Sequence, residues 1–241
     1  MPNSSDLKIK IFADGADLES IRTLYAQPNI QGFTTNPTLM RQAGIQDYKA
    51  FALEVLKIVP DRPVSFEVFA DDIAGIEAQA FEIASWGKNV NVKIPITNTK
   101  GKSTNELVGR LSAKGIICNI TAIFTLQQLT ETVDVLDVNT PAILSIFAGR
   151  IADTGCDPVP LMREAVTIAK TKPKSEVLWA SPRELLNIFQ ADEVGCHIIT
   201  VTHDVLKKLP GVGKDLAVFS LETVSMFYRD AQSAGYTINT K

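Results

Sequence analysis

Short apolar runs alternate with amphipathic stretches along the chain. The strand-like runs cover residues 9–13, 31–34, 64–68, 90–94, 115–120, 142–146, 175–180 and 197–201. Stretches with helical periodicity follow them, at 17–24, 48–58, 72–86, 103–114, 125–133, 160–171, 182–191 and from His203 onward. Strands that alternate with helices at this spacing predict βαβ units and a parallel sheet. The strand runs are near-continuously apolar, as expected when helices cover the sheet. Eight such units in 241 residues predict a single α/β domain over 1–241, a closed (β/α)₈ TIM barrel. An open doubly wound sheet would favour a glycine-rich phosphate loop after its first strand. Here that strand runs into Ala13-Asp14-Gly15-Ala16-Asp17, which is no GxGxxG. After the eighth unit, residues 210–213 read as a turn. Beyond it Leu216, Phe219, Leu221, Val224, Phe227 and Tyr228 share a helical face. They predict an appended C-terminal helix over about 214–233, docked on its own barrel or on a neighbour.

Composition narrows the partners. With 45% hydrophobic and 21% charged residues the balance is that of a soluble globular chain. Net charge is −3 and no basic tract appears, which argues against nucleic acid. No apolar run approaches the roughly 18 residues of a membrane span. The start, Met1-Pro2-Asn3-Ser4-Ser5-Asp6, is polar and lacks a signal-peptide core, so a cytoplasmic protein is expected. Cys118, Cys156 and Cys196 are widely spaced and odd in number, which supports neither a disulfide framework nor a structural zinc. Cys118 and Cys196 read as small buried residues. His197 and His203 are the two histidines, too few for a metal-dependent site and a weak basis for a Cys–His pair.

The candidate chemistry centres on Lys93, inside the strand-like run Val90-Asn91-Val92-Lys93-Ile94-Pro95. Lysine is seldom fully buried, and burial disfavours the ammonium form. A neutral amine attacks carbonyls and forms Schiff bases. The alternative is a strand-end lysine that snorkels into water. In a barrel, catalytic groups project from the C-terminal strand ends. Those ends carry Asp14, then Thr34, Thr35 and Asn36, then Glu67, Lys93, Asn119 with Thr121, Ser145 with Arg150, and Ser181 with Arg183. Asp17 reads as a helix cap, and Asn36-Pro37 could be only a turn. Glu67, a carboxylate between Phe66 and Val68, should be paired or functional. Arg150, Ser181 and Arg183 follow the sixth and seventh strands, where barrels commonly bind phosphate.

Together these motifs resemble the transaldolase family, including small transaldolases and fructose-6-phosphate aldolases. The segments carrying the resemblance are 12–17, 32–39, 90–95, 118–121, 145–150 and 180–183. Gly32-Phe33-Thr34-Thr35-Asn36-Pro37-Thr38-Leu39 is the most specific. The resemblance implies a class I enzyme that needs no cofactor or metal and acts on sugar phosphates. Lys93 would form the Schiff base and Asp14 would be the general acid/base. Glu67 and Thr121 would hold a proton-relaying water. Asn36, Asn119 and Ser145 would bind substrate hydroxyls, and Thr34 would line the site. Arg150, Ser181 and Arg183 would receive the phosphate. Small members form ring-like oligomers, which implies a homo-oligomer here.

Within the resemblance, Glu67 and Phe147 match transaldolases, whereas fructose-6-phosphate aldolases resemble Gln and Tyr at these places. The expected reaction moves a dihydroxyacetone unit from sedoheptulose 7-phosphate to glyceraldehyde 3-phosphate, giving erythrose 4-phosphate and fructose 6-phosphate. The alternatives are an aldolase that releases dihydroxyacetone, a transaldolase for a variant anionic ketose, and a non-catalytic sugar-phosphate sensor. Gly15, Phe66, Phe69 and Pro182 depart from the pattern. Pro182 restricts the backbone of Ser181 and so bears on the phosphate loop.

Overall fold

The computed structural model describes residues 3–240; Met1, Pro2 and Lys241, at the ends of the expected 1–241 domain, lie outside them. The order is β1 Lys10–Asp14, α1 Leu18–Tyr25, β2 Ile30–Thr34, α2 Pro37–Gln42, α3 Tyr48–Ile58, β3 Val64–Glu67 and α4 Ile73–Ala84. It continues β4 Val90–Pro95, α5 Asn105–Ala113, β5 Cys118–Ile123, α6 Leu126–Val135, β6 Ala142–Ile146, α7 Ala148–Ala152 and α8 Pro158–Ala169. Last come β7 Ser175–Trp179, α9 Leu186–Glu193, β8 Ile198–Thr202, α10 His203–Leu206 and α11 Leu216–Ala234. The eight strands are parallel and close in sequence order, β8 pairing back onto β1. The (β/α)₈ barrel expected from the alternation is the fold observed.

Two compact units emerge. Lys8–Lys207 is the barrel; the other joins residues up to Leu7 with Lys208 onward. In the second unit, Asp215 caps α11 by accepting from Ala217 N and Val218 N, and Gly235 ends the helix at φ 69°. Aspartate as N-cap and glycine in the left-handed region are the standard solutions for helix ends.

Alternation along the barrel strands sorts the side chains. One set, including Val64, Phe66, Val92, Ile94, Cys118, Ile120, Leu144, Val177 and Trp179, is apolar and buried. The other set faces the barrel axis and is polar toward the C-terminal end: Thr34, Glu67, Lys93, Asn119, Thr121, Ser145 and Thr200. An apolar cluster of Phe12, Ile143, Leu178, Ala180 and Ile198, with Phe147 packed against it, lies beside that polar layer and reaches the cavity through Leu178 and Ala180. The runs that read as continuously apolar therefore hide a period of two.

Boundaries moved where turn chemistry competes with apolarity. The run at 115–120 begins as strand only at Cys118, because Gly115 at φ 79° still belongs to the turn after α5. The same strand extends to Ile123 through a bulge, three steps on β5 against two on β6. Ala122, at φ 60°, makes the extra step. A second irregularity lies in β2, where Ile30 and Gly32 pair with consecutive residues of β1. Gly32 is required there because the Phe12 ring lies against its Cα.

Two short helices escaped the periodicity, α2 after β2 and α7 after β6. Both are too short to show a helical repeat, and both sit on the rim. A Cβ on Gly149 of α7 would overlap the Ser181 carbonyl oxygen, so only glycine permits α7 to close on the β7 loop. Gly149 N also donates to Ala180 O at 3.3 Å.

Candidate active site

A cavity of about 550 Å³ opens at the C-terminal ends of the strands. Twelve residues singled out from the sequence line it: Asp14, Thr34, Asn36, Glu67, Lys93, Asn119, Thr121, Ser145, Phe147, Arg150, Ser181 and Arg183; Thr35, also read at the rim, is buried outside it. They come from seven of the eight strand ends, so only closure of the barrel brings them together.

Lys93 is 8% exposed, which decides against the snorkelling alternative. Its Nζ lies 3.0 Å from Glu67 Oε2 and donates to Thr35 O at 3.1 Å. The pairing answers the expectation that a carboxylate within an apolar strand needs a partner.

Asp14 accepts from Thr34 Oγ1 at 2.8 Å and from Asn36 Nδ2 at 3.3 Å. Burial pushes the Asp14 carboxyl above its usual range. The positive charge of Lys93 and the two hydrogen bonds offset part of that rise, and Glu67 adds to it. Thr34 also shares a hydrogen bond with Thr200 of β8. Asn36 does two jobs. Its Oδ1 caps α2 by accepting from Leu39 N at 3.0 Å, and its amide nitrogen holds Asp14. Asn36-Pro37 is thus the capped start of α2 rather than a bare turn, and Asn36 also lines the cavity. Asp17 caps α1, accepting from Ser20 N at 2.7 Å.

A second network crosses the barrel floor. Ser145 Oγ donates to Asn119 Oδ1 at 2.6 Å, and Asn119 Nδ2 donates to Ser65 Oγ at 3.0 Å. It fixes Asn119 and leaves its outer face toward the cavity. Thr121 Oγ1 is buried and bonds to no group among the described residues. It lines the same cavity as Glu67.

Toward the late loops, Arg150 lies over the Phe147 ring, 5.2 Å from its centre. Arg183 Nη1 donates to Ser181 Oγ at 3.0 Å. Its Nε donates to Asp153 Oδ1 at 2.9 Å, and its Nη2 pairs with Asp153 Oδ2. The edge of the guanidinium expected to grip an anion, Nε with Nη2, is therefore engaged by the Asp153 carboxylate. Ser181 has φ 60°. Ala122 and Ser181 are the two non-glycine residues in the left-handed region among those described, and both line the cavity. Strain of this kind concentrates at functional sites.

The sequence reading missed four participants. Thr200 and Ser65 interrupt apolar strands, which is a usable signal. Asp153, and Tyr48, whose hydroxyl bonds the Glu67 backbone, carry none, because their partners are fixed only by the fold. Cys118 and Cys196 are buried, and burial pushes both thiols up to about 12, far from reactive thiolates. Among the described residues no cluster of His, Cys, Asp or Glu converges to hold a metal ion, and no helix is long and apolar enough to cross a membrane.

A (β/α)₈ barrel whose rim pairs a buried lysine with a carboxylate, beside a second carboxylate and two arginines, defines the class: a barrel with a lysine-centred site at the C-terminal ends of its strands. The family described as Transaldolase/Fructose-6-phosphate aldolase matches residues 11–240, and the chain belongs to that family. It is 36% identical over 202 residues to a "Probable transaldolase" of Dehalococcoides mccartyi, covering 83% of this chain and 90% of that protein. It is 33% identical over 223 residues to a "Probable transaldolase" of Methanococcus maripaludis, covering 89% and 99%. Among solved structures, 2,3-dimethylmalate lyase aligns with a TM-score of 0.56 at 12% identity, covering 97% of this chain and 85% of that one. KGPDC from Streptococcus mutans aligns at 0.56 and 9%, covering 84% and 91%. These last two likenesses concern the barrel alone.

Proposed function

We propose that the chain is a class I transaldolase that works without a cofactor through a Schiff base on Lys93. The observation that carries the reading is the Lys93–Glu67 pair, at 3.0 Å, in a cavity that also holds Asp14. Lys93 must lose a proton before it attacks. Glu67 is placed to take that proton, directly or through a water held with the Thr121 hydroxyl. Attack on the ketose carbonyl gives a carbinolamine, and loss of water gives the iminium. Asp14 then removes the proton of the hydroxyl beyond the scissile bond, the carbon–carbon bond breaks, and an aldehyde leaves. A three-carbon enamine stays on Lys93. It attacks the incoming aldehyde, Asp14 returns its proton to the new hydroxyl, and hydrolysis frees Lys93. A carboxyl raised by burial suits both halves of this cycle, because it is a stronger base than an ordinary aspartate when it takes the proton and can still return it to the new hydroxyl.

Asn36, Asn119 and Ser145 supply hydrogen bonds to sugar hydroxyls, while Arg150, Ser181 and Arg183 face the phosphate. Phe147 puts an apolar ring where a phenol could protonate the enamine. The three-carbon unit is thereby retained for an acceptor.

With fructose 6-phosphate alone the enzyme should release no more than about one equivalent of glyceraldehyde 3-phosphate per site. Adding erythrose 4-phosphate should turn the reaction over and form sedoheptulose 7-phosphate, measured by coupled assay. Continuous release without acceptor would instead make it an aldolase. The reading includes self-association. α11 exposes Leu216, Phe219, Leu221, Val224, Phe227 and Tyr228, more apolar surface than one helix normally leaves in water. Light scattering should give a mass above that of one chain, and a monomer at working concentration would reject this part.

A further inference from the structure

The seam between β2 and β3 is interrupted at the level of the lysine. Phe33 pairs with Val64 and Thr34 with Ser65, and Thr35 N donates to Ser65 O at 3.2 Å. In a parallel ladder the next rung would join Glu67 N–H to Thr35 C=O. Neither group follows that rule. Glu67 N donates to the Tyr48 hydroxyl at 2.7 Å, and Thr35 O accepts from Lys93 Nζ at 3.1 Å. The Tyr48 hydroxyl in turn donates to Glu67 O at 3.0 Å. A strand residue presents its N–H and C=O to the same side, so one hydroxyl satisfies both.

We propose that Tyr48 is a positioning residue: its hydroxyl replaces the missing rung, fixes the backbone of Glu67 and frees the Thr35 carbonyl to hold Lys93. Of the two acceptors of the lysine, the Glu67 carboxylate thus hangs on backbone that Tyr48 ties, and the Thr35 carbonyl is the group that the Tyr48 hydroxyl relieves of its rung. The ring is clamped for this task. It meets Phe66, Phe69 and Trp86 with centroid separations of 6.1, 4.6 and 5.4 Å. Phe66 and Phe69, which stood out as departures from the family pattern, are two walls of that clamp. Burial and the Glu67 charge push the phenol far above its ordinary value, so it remains a donor throughout the working pH range.

This role rests on the Schiff-base reading, and the test separates the two. Tyr48→Phe keeps the ring and removes only the hydroxyl. With fructose 6-phosphate and erythrose 4-phosphate it should lower kcat about tenfold and leave KM within about twofold. Borohydride trapping on the Lys93 peptide should slow by the same factor. The melting temperature should fall by no more than about 8 °C, since two backbone groups lose one partner. In a Glu67→Ala background the same substitution should cost less than about twofold, because the group it positions is gone. Equal losses in both backgrounds, or a trapping rate that Tyr48→Phe leaves unchanged, would overturn the positioning role alone. Absence of trapping in the wild-type chain would overturn the Schiff-base reading and this role with it. Should Tyr48→Phe fail to fold, 3-fluorotyrosine at position 48 keeps both ring and hydroxyl but weakens acceptance from Glu67 N–H. It should shift the pH profile of trapping, and an unchanged profile would count against the proposal.

Discussion

Lys93→Met should yield a folded barrel that forms no borohydride-stable adduct with any ketose and turns over at least about 10⁵-fold more slowly than the wild-type chain. The amine is the only group in the proposed cycle that becomes covalently bonded to substrate, so no neighbour can substitute for it. Stability should respond differently from activity. Removing one member of a buried ion pair typically costs about 3–5 kcal/mol, because the other charge is left without compensation. Here Glu67 borders an open cavity, so water can reach it and a loss of about 2 kcal/mol is expected. Two further variants separate charge from chemistry. Lys93→Met combined with Glu67→Gln removes both charges and should recover most of that stability. Lys93→Arg keeps a cation for Glu67 and should stay near wild-type stability. It should be as inactive as Lys93→Met, because a guanidinium is never deprotonated in proteins. Urea melts and mass spectrometry of the trapped peptide check both sides. A covalent adduct in Lys93→Met, on any other lysine, would end the assignment of the nucleophile.

The same residue shows what the sequence can and cannot disclose. Lys93, Glu67 and Asp14 were legible because a charged residue inside an apolar strand is costly unless it is paired or put to chemical use. Their convergence was legible only through the barrel, which the eightfold alternation implied. What stayed hidden has a common cause. The pairing of Glu67 N–H with the Tyr48 hydroxyl is a tertiary accident of α3 packing under β3, and no periodicity reports it. Tyr48 reads as one more apolar position on an amphipathic helix. The Ala122 bulge is hidden for another reason. Left-handed backbone is usually announced by glycine, and here an alanine is held there by its surroundings. Arg183 was legible as a rim residue, whereas its anchoring by Asp153 was not, since the end of α7 places that carboxylate. The period of two within the strands was concealed by the small size of Ser65, Thr121, Ser145 and Thr200. Those residues mix with Ile and Val without breaking an apolar run.

Asp14→Asn should separate catalysis from stability in the opposite sense. The carbon–carbon steps should slow by about 10³-fold, within the usual range for loss of a general acid/base. Trapping of the Schiff base on Lys93 should persist, because Glu67 and Thr121 serve that step. An asparagine can keep the local bonds: its amide donates to Thr34 Oγ1, which turns its own proton toward Thr200, and its carbonyl accepts from Asn36 Nδ2. What disappears is the cost of ionising a buried carboxyl. In the wild-type chain burial holds Asp14 above its ordinary value, despite Lys93 nearby. Below about pH 3.9, the unfolded-state value, both states hold the proton and the carboxyl costs nothing. As pH rises, the unfolded chain releases its proton first and the folded chain later. The stability of the folded state falls across that interval and then levels off once the native carboxyl has ionised. The amide of the Asp14→Asn variant does not titrate, so the variant escapes this fall. The difference between variant and wild type should therefore be near zero at the acid end, grow in the variant's favour as pH rises, and level off only above the raised native value. Subtracting paired urea melts at each pH cancels every other titrating group. A difference that is flat with pH, or that favours the wild type at pH 8, would show that Asp14 enters the folded state without strain and would remove the physical basis for its acid/base role.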